Sequence, residues 1–216
     1  MTLVRAGLAP TDPVAIPGKN PSLAVSFFRK TSELALRLVW TEGPILGAGD
    51  VRVTLLAPWI VNNSDGRARV EHCADVMEGF TLAAEFRHKS WFSEKAREST
   101  LAMERERGFV NVVVDEPNTT ANSIPAVWEV TNQGLALVRL HGRNHETWNI
   151  KGAASASSRF NYDHTDDELG ELAGPIGEIA KRVERTHAVF NNNYEDQGQR
   201  NARAHMHILG QTAMQP

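Results

Sequence analysis

Val110-Asn111-Val112-Val113-Val114-Asp115 decides the fold of this chain. β-branched residues crowd the segment, Gly108 precedes it, and Glu116-Pro117 follows, which together read as a strand. Upstream, Ser93 to Arg107 has the character of a helix, with Ser93 as its N-cap and Gly108 at its end. Before that helix, Thr81-Leu82-Ala83-Ala84-Glu85-Phe86 is another strand. A helix from Gly66 to Met77 separates it from a strand at Val51-Arg52-Val53-Thr54-Leu55-Leu56. Downstream, Leu135 to His141 is apolar as far as Arg139 and forms the next strand. A loop runs from Gly142 to His164.

Thr165-Asp166-Asp167-Glu168 then has the spacing of a capping box, in which the Thr165 hydroxyl and the Glu168 carboxylate each serve the other's backbone N–H. The helix it opens is expected to reach about Arg185, with a kink or break near Gly174 because Pro175 lies within it. His187-Ala188-Val189-Phe190-Asn191 is the last strand, and Gln197 to Leu209 is a closing helix ended by Gly210. Apolar strands alternating with helical crossovers imply a parallel sheet covered by helices. A closed eight-stranded barrel takes about 250 residues. The chain has 216 residues and five clear strands, so the α/β pattern is an open sheet or a barrel lacking its early strands.

Residues 1–50 do not share this regularity. Pro10, Pro13, Pro17, Gly18 and Pro21 exclude a long helix or a central strand. Ser26 to Trp40 shows helical periodicity through Leu34 and Leu38, and Gly43, Pro44, Gly47 and Gly49 break the chain again. The expected organisation is a poorly ordered segment over 1–50, an α/β domain over 51–210 and a short tail over 211–216.

The net charge of −3 supplies no basic field for nucleic acid or an acidic membrane. No apolar run approaches the roughly 20 residues of a membrane helix. Cys73 is the only cysteine. It excludes an internal disulfide and a cysteine-based zinc site, and a reducing cytoplasm is the simplest setting. Phosphate-binding, dinucleotide-binding and serine-esterase glycine motifs are absent, as is any short metal signature. The sequence therefore names no cofactor and no metal site.

Each strand ends in polar residues, and parallel α/β folds place their sites at these C-terminal ends. Strand alternation groups Ala83, Glu85 and Arg87 on one face. Asn111, Val113 and Asp115 share another, as do Leu137, Arg139 and His141, and Val189, Asn191 and Asn193. If all four faces point inward, Glu85, Asp115, Arg139, His141 and Asn191 surround one hollow, while Val112, Val114, Val138 and Leu140 meet the helices. Buried charges require partners; Glu85 with Arg87 or Arg139, and Asp115 with Arg139, are the expected pairs. His141 is the best candidate for acid–base work, because its ordinary pKa lies near neutrality. Asp115 and Glu85 are candidate acids, bases or ligands of a cation. Trp91, Trp128 and Trp148 lie in or near loops after strands, where they form an aromatic wall or simply cap the strand ends.

Several segments in order resemble the YecE-like family, a domain of unknown function (72). They are Ala84-Glu85-Phe86-Arg87-His88-Lys89-Ser90-Trp91-Phe92, Val113-Val114-Asp115-Glu116-Pro117 and Val138-Arg139-Leu140-His141-Gly142-Arg143-Asn144, with Trp148 beyond. Arg159-Phe160-Asn161-Tyr162, Phe190-Asn191-Asn192-Asn193-Tyr194 and Asn201-Ala202 complete the set. The resemblance covers the chain from Val51 onward and implies an incomplete TIM-like (β/α) barrel, with parallel strands and helices outside. It implies no reaction. It marks Arg87, His88, Trp91, Arg139, Arg143, Asn191 and Asn192 as pocket residues, beside Glu85, Asp115 and His141. The family's opening Gly-Thr-Ser-Gly-Trp-like strand is missing from residues 1–50, so the barrel is expected to be open, and a partner or self-association is expected to cover its edge.

Three functions are consistent with this pattern. The first is an enzyme acting on a small polar or anionic substrate, with Arg87, Arg139 and Arg143 holding the anion. The second is a noncatalytic module for a metabolite or single-stranded nucleic acid, although the lack of a continuous basic stripe argues against nucleic acid. The third is a shortened, inactive remnant.

Overall fold

The computed structural model describes residues 51–117, 123–146, 148, 160–192 and 194–210, together with the backbone of two strand segments at 25–26 and 36–40. Apart from those two strands, the expectations for 1–50 and for the tail after 210 fall outside the described residues. The chain divides into two compact units, Met1–Asn111 and Val112–Pro216.

In the first unit, β1 (Val25–Ser26) and β2 (Leu36–Trp40) run antiparallel to one another, and β2 runs antiparallel to β3 (Val51–Leu56). The helical reading of Ser26 to Trp40 is therefore corrected at its end. Leu34 and Leu38 are four apart, a spacing that fits a period of 2 as well as one of 3.6, while Leu36, Leu38 and Trp40 alternate. β3 pairs in parallel with β4 (Thr81–Glu85), Leu55 lying beside Glu85. α1 (Ser64–Val76) connects them, starting two residues before expectation because Asn63 caps it by accepting the Gly66 N–H.

After β4, a short 3-10 helix occupies Lys89–Phe92, and α2 spans Arg97–Arg107. Ser93 is thus not the cap of α2. Its hydroxyl donates to the Ser90 carbonyl, and α2 starts after Ala96 with no side-chain cap. The C-terminal expectation holds, since Gly108 takes a left-handed φ of 70°. Trp91 is fully buried, 4.5 Å from the Phe86 ring, and its indole N–H donates to the Ile60 carbonyl at 2.8 Å. Cys73 is also buried, which pushes its thiol up to about 12 and leaves it unsuited to nucleophilic chemistry.

Glu104 is the costly residue of this unit. It is fully buried on α2, and neither carboxylate oxygen has a hydrogen-bond partner among the described residues. Burial raises its pKa well above the usual range, with the Arg105 charge opposing the shift. A carboxyl whose folded pKa is raised holds a proton that the unfolded chain releases near pH 4.3. Stability therefore falls as pH rises above that value. Glu104→Gln is expected to stabilise the protein at pH 8 by on the order of 1 kcal/mol and to flatten the decline between pH 5 and 8. Urea midpoints read both effects, and a variant weaker than the parent at pH 8 would contradict the assignment.

β5 (Val110–Asp115) begins in the first unit and ends in the second. Val110 and Asn111 pair in parallel with β4. Val112 to Asp115 pair in parallel with β6 (Ala136–Leu140), and β6 with β7 (Thr186–Phe190). β3 to β7 are thus five parallel strands, each bonded to the next in chain order, and the fold class is α/β as expected.

In the second unit, α3 (Asp166–Ala180) opens on the expected capping box at Thr165 and Glu168. It passes through Pro175 and stops at Ala180, five residues short of the expected end. Leu172, Ile176 and Ile179 form one stripe at i, i+4 and i+7 and pack on Val113, Ala136, Val138 and Leu140. Burial of each such side chain contributes about 1.5–3 kcal/mol, which is what holds α3 on this face of the sheet. α4 (Gln197–Ile208) follows β7, and Gly210 beyond it has a φ of 69°. No described helix is long and apolar enough to cross a membrane.

Candidate functional site

The register sorts the polar strand ends of the second unit. Val113 lies beside Val138 and Asp115 beside Leu140, while Val114 lies beside Arg139. Laterally paired residues of a parallel sheet point to the same face. Val113 and Asp115 therefore share the face that α3 covers, and Arg139 and His141 project from the other. This corrects the expected convergence: Asp115 does not share a face with Arg139 and His141, and Val113 meets the helix. β5 is buried throughout, and an apolar run with two covered faces carries no alternation from which to choose.

On the face opposite α3, the pairing of Leu140 with Phe190 sets Asn191 next to His141. The Asn191 N–H donates to the Leu140 carbonyl at 2.7 Å, which fixes the residue just beyond β7. Arg139 Nη2 lies 3.2 Å from Asn191 Oδ1, and Asn191 Nδ2 lies 2.9 Å from His141 Nδ1. His141 is buried. The Phe160 ring lies 5.6 Å from its imidazole in a tilted arrangement, and the Trp148 ring 6.0 Å away edge-on. Phe160 and Trp148 also meet edge to face at 5.9 Å, a favourable aromatic geometry. Phe160 carried no assigned role in the sequence. Its place in the Arg159-Phe160-Asn161-Tyr162 segment was the available signal, and Arg159 lies outside the described residues.

Asp115 belongs to a second cluster, on the α3 side. Arg143 Nε and Nη2 each reach its carboxylate at 3.1 Å, a two-pronged pair, so the Asp115 partner is Arg143 rather than Arg139. Arg143 Nη1 also lies 3.6 Å from Glu168 and 3.8 Å from Glu171. One guanidinium thus faces three carboxylates. The Tyr162 hydroxyl donates to Glu168 at 2.5 Å. Burial first, and then this bond, pushes the Tyr162 hydroxyl up to about 12. For Glu168, burial works upward, but the bonds from Tyr162 and the Thr165 N–H, with the His164 and Arg143 charges, hold it below its ordinary value. Glu168 therefore caps α3 and anchors the 160–164 loop with the same carboxylate. Gly142 permits the approach of that loop. Its φ is 83°, and a Cβ there would lie 2.5 Å from the Tyr162 Cβ.

Asn192 and Asn201 tie the loop to α4. Asn192 is fully buried, and its Nδ2 donates to the Tyr162 carbonyl and to Asn201 Oδ1. Asn201 Oδ1 also accepts the His164 N–H, while its Nδ2 donates to Asp163 and the His164 carbonyl. Asn193 lies outside the described residues.

In the first unit, Arg87 pairs with the buried Glu85 at 3.1 Å, as expected. His88 Nδ1 accepts the Ser90 N–H and so caps the 3-10 helix. Each of the three tryptophans packs within its own unit. Trp91 sits in the core of the first unit, Trp128 packs on the α3 core, and Trp148 lies on His141. Among the described residues, no three His, Cys, Asp or Glu side chains gather as a metal site.

The family model described as "Protein of unknown function DUF72" matches residues 49–216. The UPF0759 protein YunF of Bacillus subtilis (strain 168) is 31% identical over 138 residues, which cover 63% of this chain and 49% of that protein. The chain thus spans about half the length of that curated relative. A DUF72 family protein from Enterococcus faecalis V583 superposes with a TM-score of 0.71 at 24% identity, over 76% of this chain and 60% of that one. One from Thermotoga maritima MSB8 gives 0.65 at 28% identity, over 74% and 57%. Architecture, strand-end motifs and family match agree, and the chain belongs to the DUF72 family.

Proposed function

We propose that the face of the second unit carrying His141 binds a small polar molecule, and that the chain is an enzyme in which His141 meets the reacting atoms. The observation that carries this reading is the Arg139–Asn191–His141 hydrogen-bonded line at adjacent strand ends, with Trp148 and Phe160 packed on the imidazole. An imidazole oriented from behind by a second polar group is an arrangement suited to catalysis. A neutral polar molecule is favoured over an anion, because two of the three candidate arginines, Arg87 and Arg143, are matched by carboxylates in their own units. In this reading Asp115, Arg143 and Asn192 hold the loop that brings Phe160 to His141, and Glu85, Arg87, His88 and Trp91 belong to the first unit. A reducing cytoplasm suits the single buried Cys73.

A metabolite panel screened by ligand-observed NMR tests the proposal. A hit from carbonyl- or hydroxyl-bearing compounds is expected to lose about tenfold or more in affinity in His141→Ala, the worth of a buried hydrogen bond at about 1.5 kcal/mol. A hit that binds His141→Ala as tightly as the parent would place the site elsewhere.

A second reading rests on β7. Among the described residues it pairs only with β6, and all five of its residues are only partly buried. An open parallel edge favours association. We propose self-association at this edge. A mass by light scattering that stays monomeric across a hundredfold concentration range would reject it.

A further inference from the structure

We infer that Arg139 and Asn191 lock the neutral His141 ring in its Nε2–H form, so that the site presents a hydrogen-bond donor to an oxygen of its substrate. The inference deepens the reading of the His141 face given above and rests on it for the substrate, but the lock follows from hydrogen-bond chemistry alone.

A guanidinium has five donors and no acceptor. Arg139 Nη2, 3.2 Å from the Asn191 side chain, can therefore meet only its Oδ1. That fixes the orientation of an amide that is otherwise free to flip. The opposite end of the same amide, Nδ2, is then the group 2.9 Å from His141 Nδ1. Nδ2 is a donor, so Nδ1 accepts. A neutral imidazole has one N–H, and with Nδ1 accepting, that N–H is at Nε2. The Asn191 backbone bond to Leu140 and the Phe160 and Trp148 rings keep both side chains from swinging away.

This arrangement sets the chemistry. A neutral ring with its proton on Nε2 polarises a carbonyl by hydrogen bonding, without transferring the proton. The substrate class is a small molecule with an exposed carbonyl oxygen, and the base that removes any proton is a group other than His141. Arg139 and Asn191 act through the imidazole and are positioning residues.

Long-range proton–nitrogen correlation of the full chain labelled with 15N-histidine, at pH 8, reads the ring state directly. The His141 signals are identified by their loss in His141→Gln. The expected result is a pyrrole-type nitrogen at Nε2 and a pyridine-type nitrogen at Nδ1. Asn191→Asp keeps the shape but puts an acceptor against Nδ1, and is expected to move the proton to Nδ1 completely. Arg139→Met frees the amide and is expected to give a mixture. An Nδ1–H ring in the parent protein would overturn the inference, as would a folded Asn191→Asp whose ring pattern is unchanged. If Asn191→Asp fails to fold, the parent spectrum alone decides. The measurement needs no substrate. A failed ligand search therefore counts against the proposed site and leaves the tautomer standing, whereas a wrong tautomer with a confirmed ligand removes the donor role alone.

Discussion

Asn201→Ala is expected to cost the protein about 3–5 kcal/mol, a large share of the 5–15 kcal/mol by which a domain is stable. The side chain makes four hydrogen bonds and is 4% exposed. Alanine would leave the His164 N–H and carbonyl without partners and deprive Asn192 of one of its two acceptors. Each buried polar group left unmatched costs about 1–3 kcal/mol, more than the bond itself contributes. Asp163 loses less, because it is exposed and also receives Arg200 at 2.8 Å. Asn201→Asp separates the two halves of the amide. It keeps the acceptor for His164 and Asn192 but sets a second carboxylate beside Asp163, and should fall between parent and alanine. Urea unfolding gives the total, and amide exchange at His164 and in α4 reports whether the loss is local. A change below about 1 kcal/mol in Asn201→Ala would mean that water replaces the amide and that the clamp is incidental. The consequence for the site is direct: Tyr162 and Phe160 lie on the clamped loop, so a loosened loop should also broaden the His141 ring signals.

That clamp is a long-range feature that local sequence patterns do not display. The strands are legible because Val110 to Val114 is rich in β-branched residues and Leu135 to Val138 is apolar, and the capping box at Thr165 is legible because its two partners are three residues apart. Local signals of this kind need no knowledge of the fold. The face of Asp115 was not legible, since a strand covered on both sides has no polar alternation to betray its orientation, and its register against β6 is a long-range property. The same holds for the partner of Asp115: Arg139 is the nearer of the two arginines in sequence, yet the left-handed turn at Gly142 brings Arg143 round to the carboxylate. Asn201 and Phe160 stood in family-like segments, yet their roles depend on contacts across 37 and 19 positions, to His164 and His141. The place of His141 directly after β6 is legible, because it follows the apolar run of that strand. What the sequence left open was the group behind it, because Asn191 lies 50 positions away.

Acidification from pH 7 to 5 is expected to destabilise the second unit, and two buried histidines are the reason. His164 and His205 are 5% and 2% exposed, and they flank Phe190, with ring centroids 6.0 and 5.8 Å from it. Burial lowers the pKa of each. The Asp115 and Glu168 charges pull His164 the other way, Arg143 adds to its lowering, and a backbone group at Leu169 opposes the shift in His205. Half-buried His187 is lowered as well, by burial and then by the Arg185 charge. A histidine depressed in the folded state is neutral there while the unfolded chain binds its proton below about pH 6.5. The unfolded state then holds more protons, so stability is complete above that pH and is lost as pH falls toward the folded pKa. Each fully buried histidine contributes a slope of up to about 1.4 kcal/mol per pH unit, so His164 and His205 together give up to about 2.7. Glu104 acts in the opposite sense over part of the same range, and the measurement therefore belongs in the Glu104→Gln background. There, urea midpoints should fall steadily from pH 6.5 to 5, and His205→Phe should remove about half of the slope. Glu168 does not account for such a loss, because it is held low and its contribution is lost only below its ordinary value near 4.5. A profile flat from pH 7 to 5 would show that both imidazoles accept protons without disturbing the packing around Phe190.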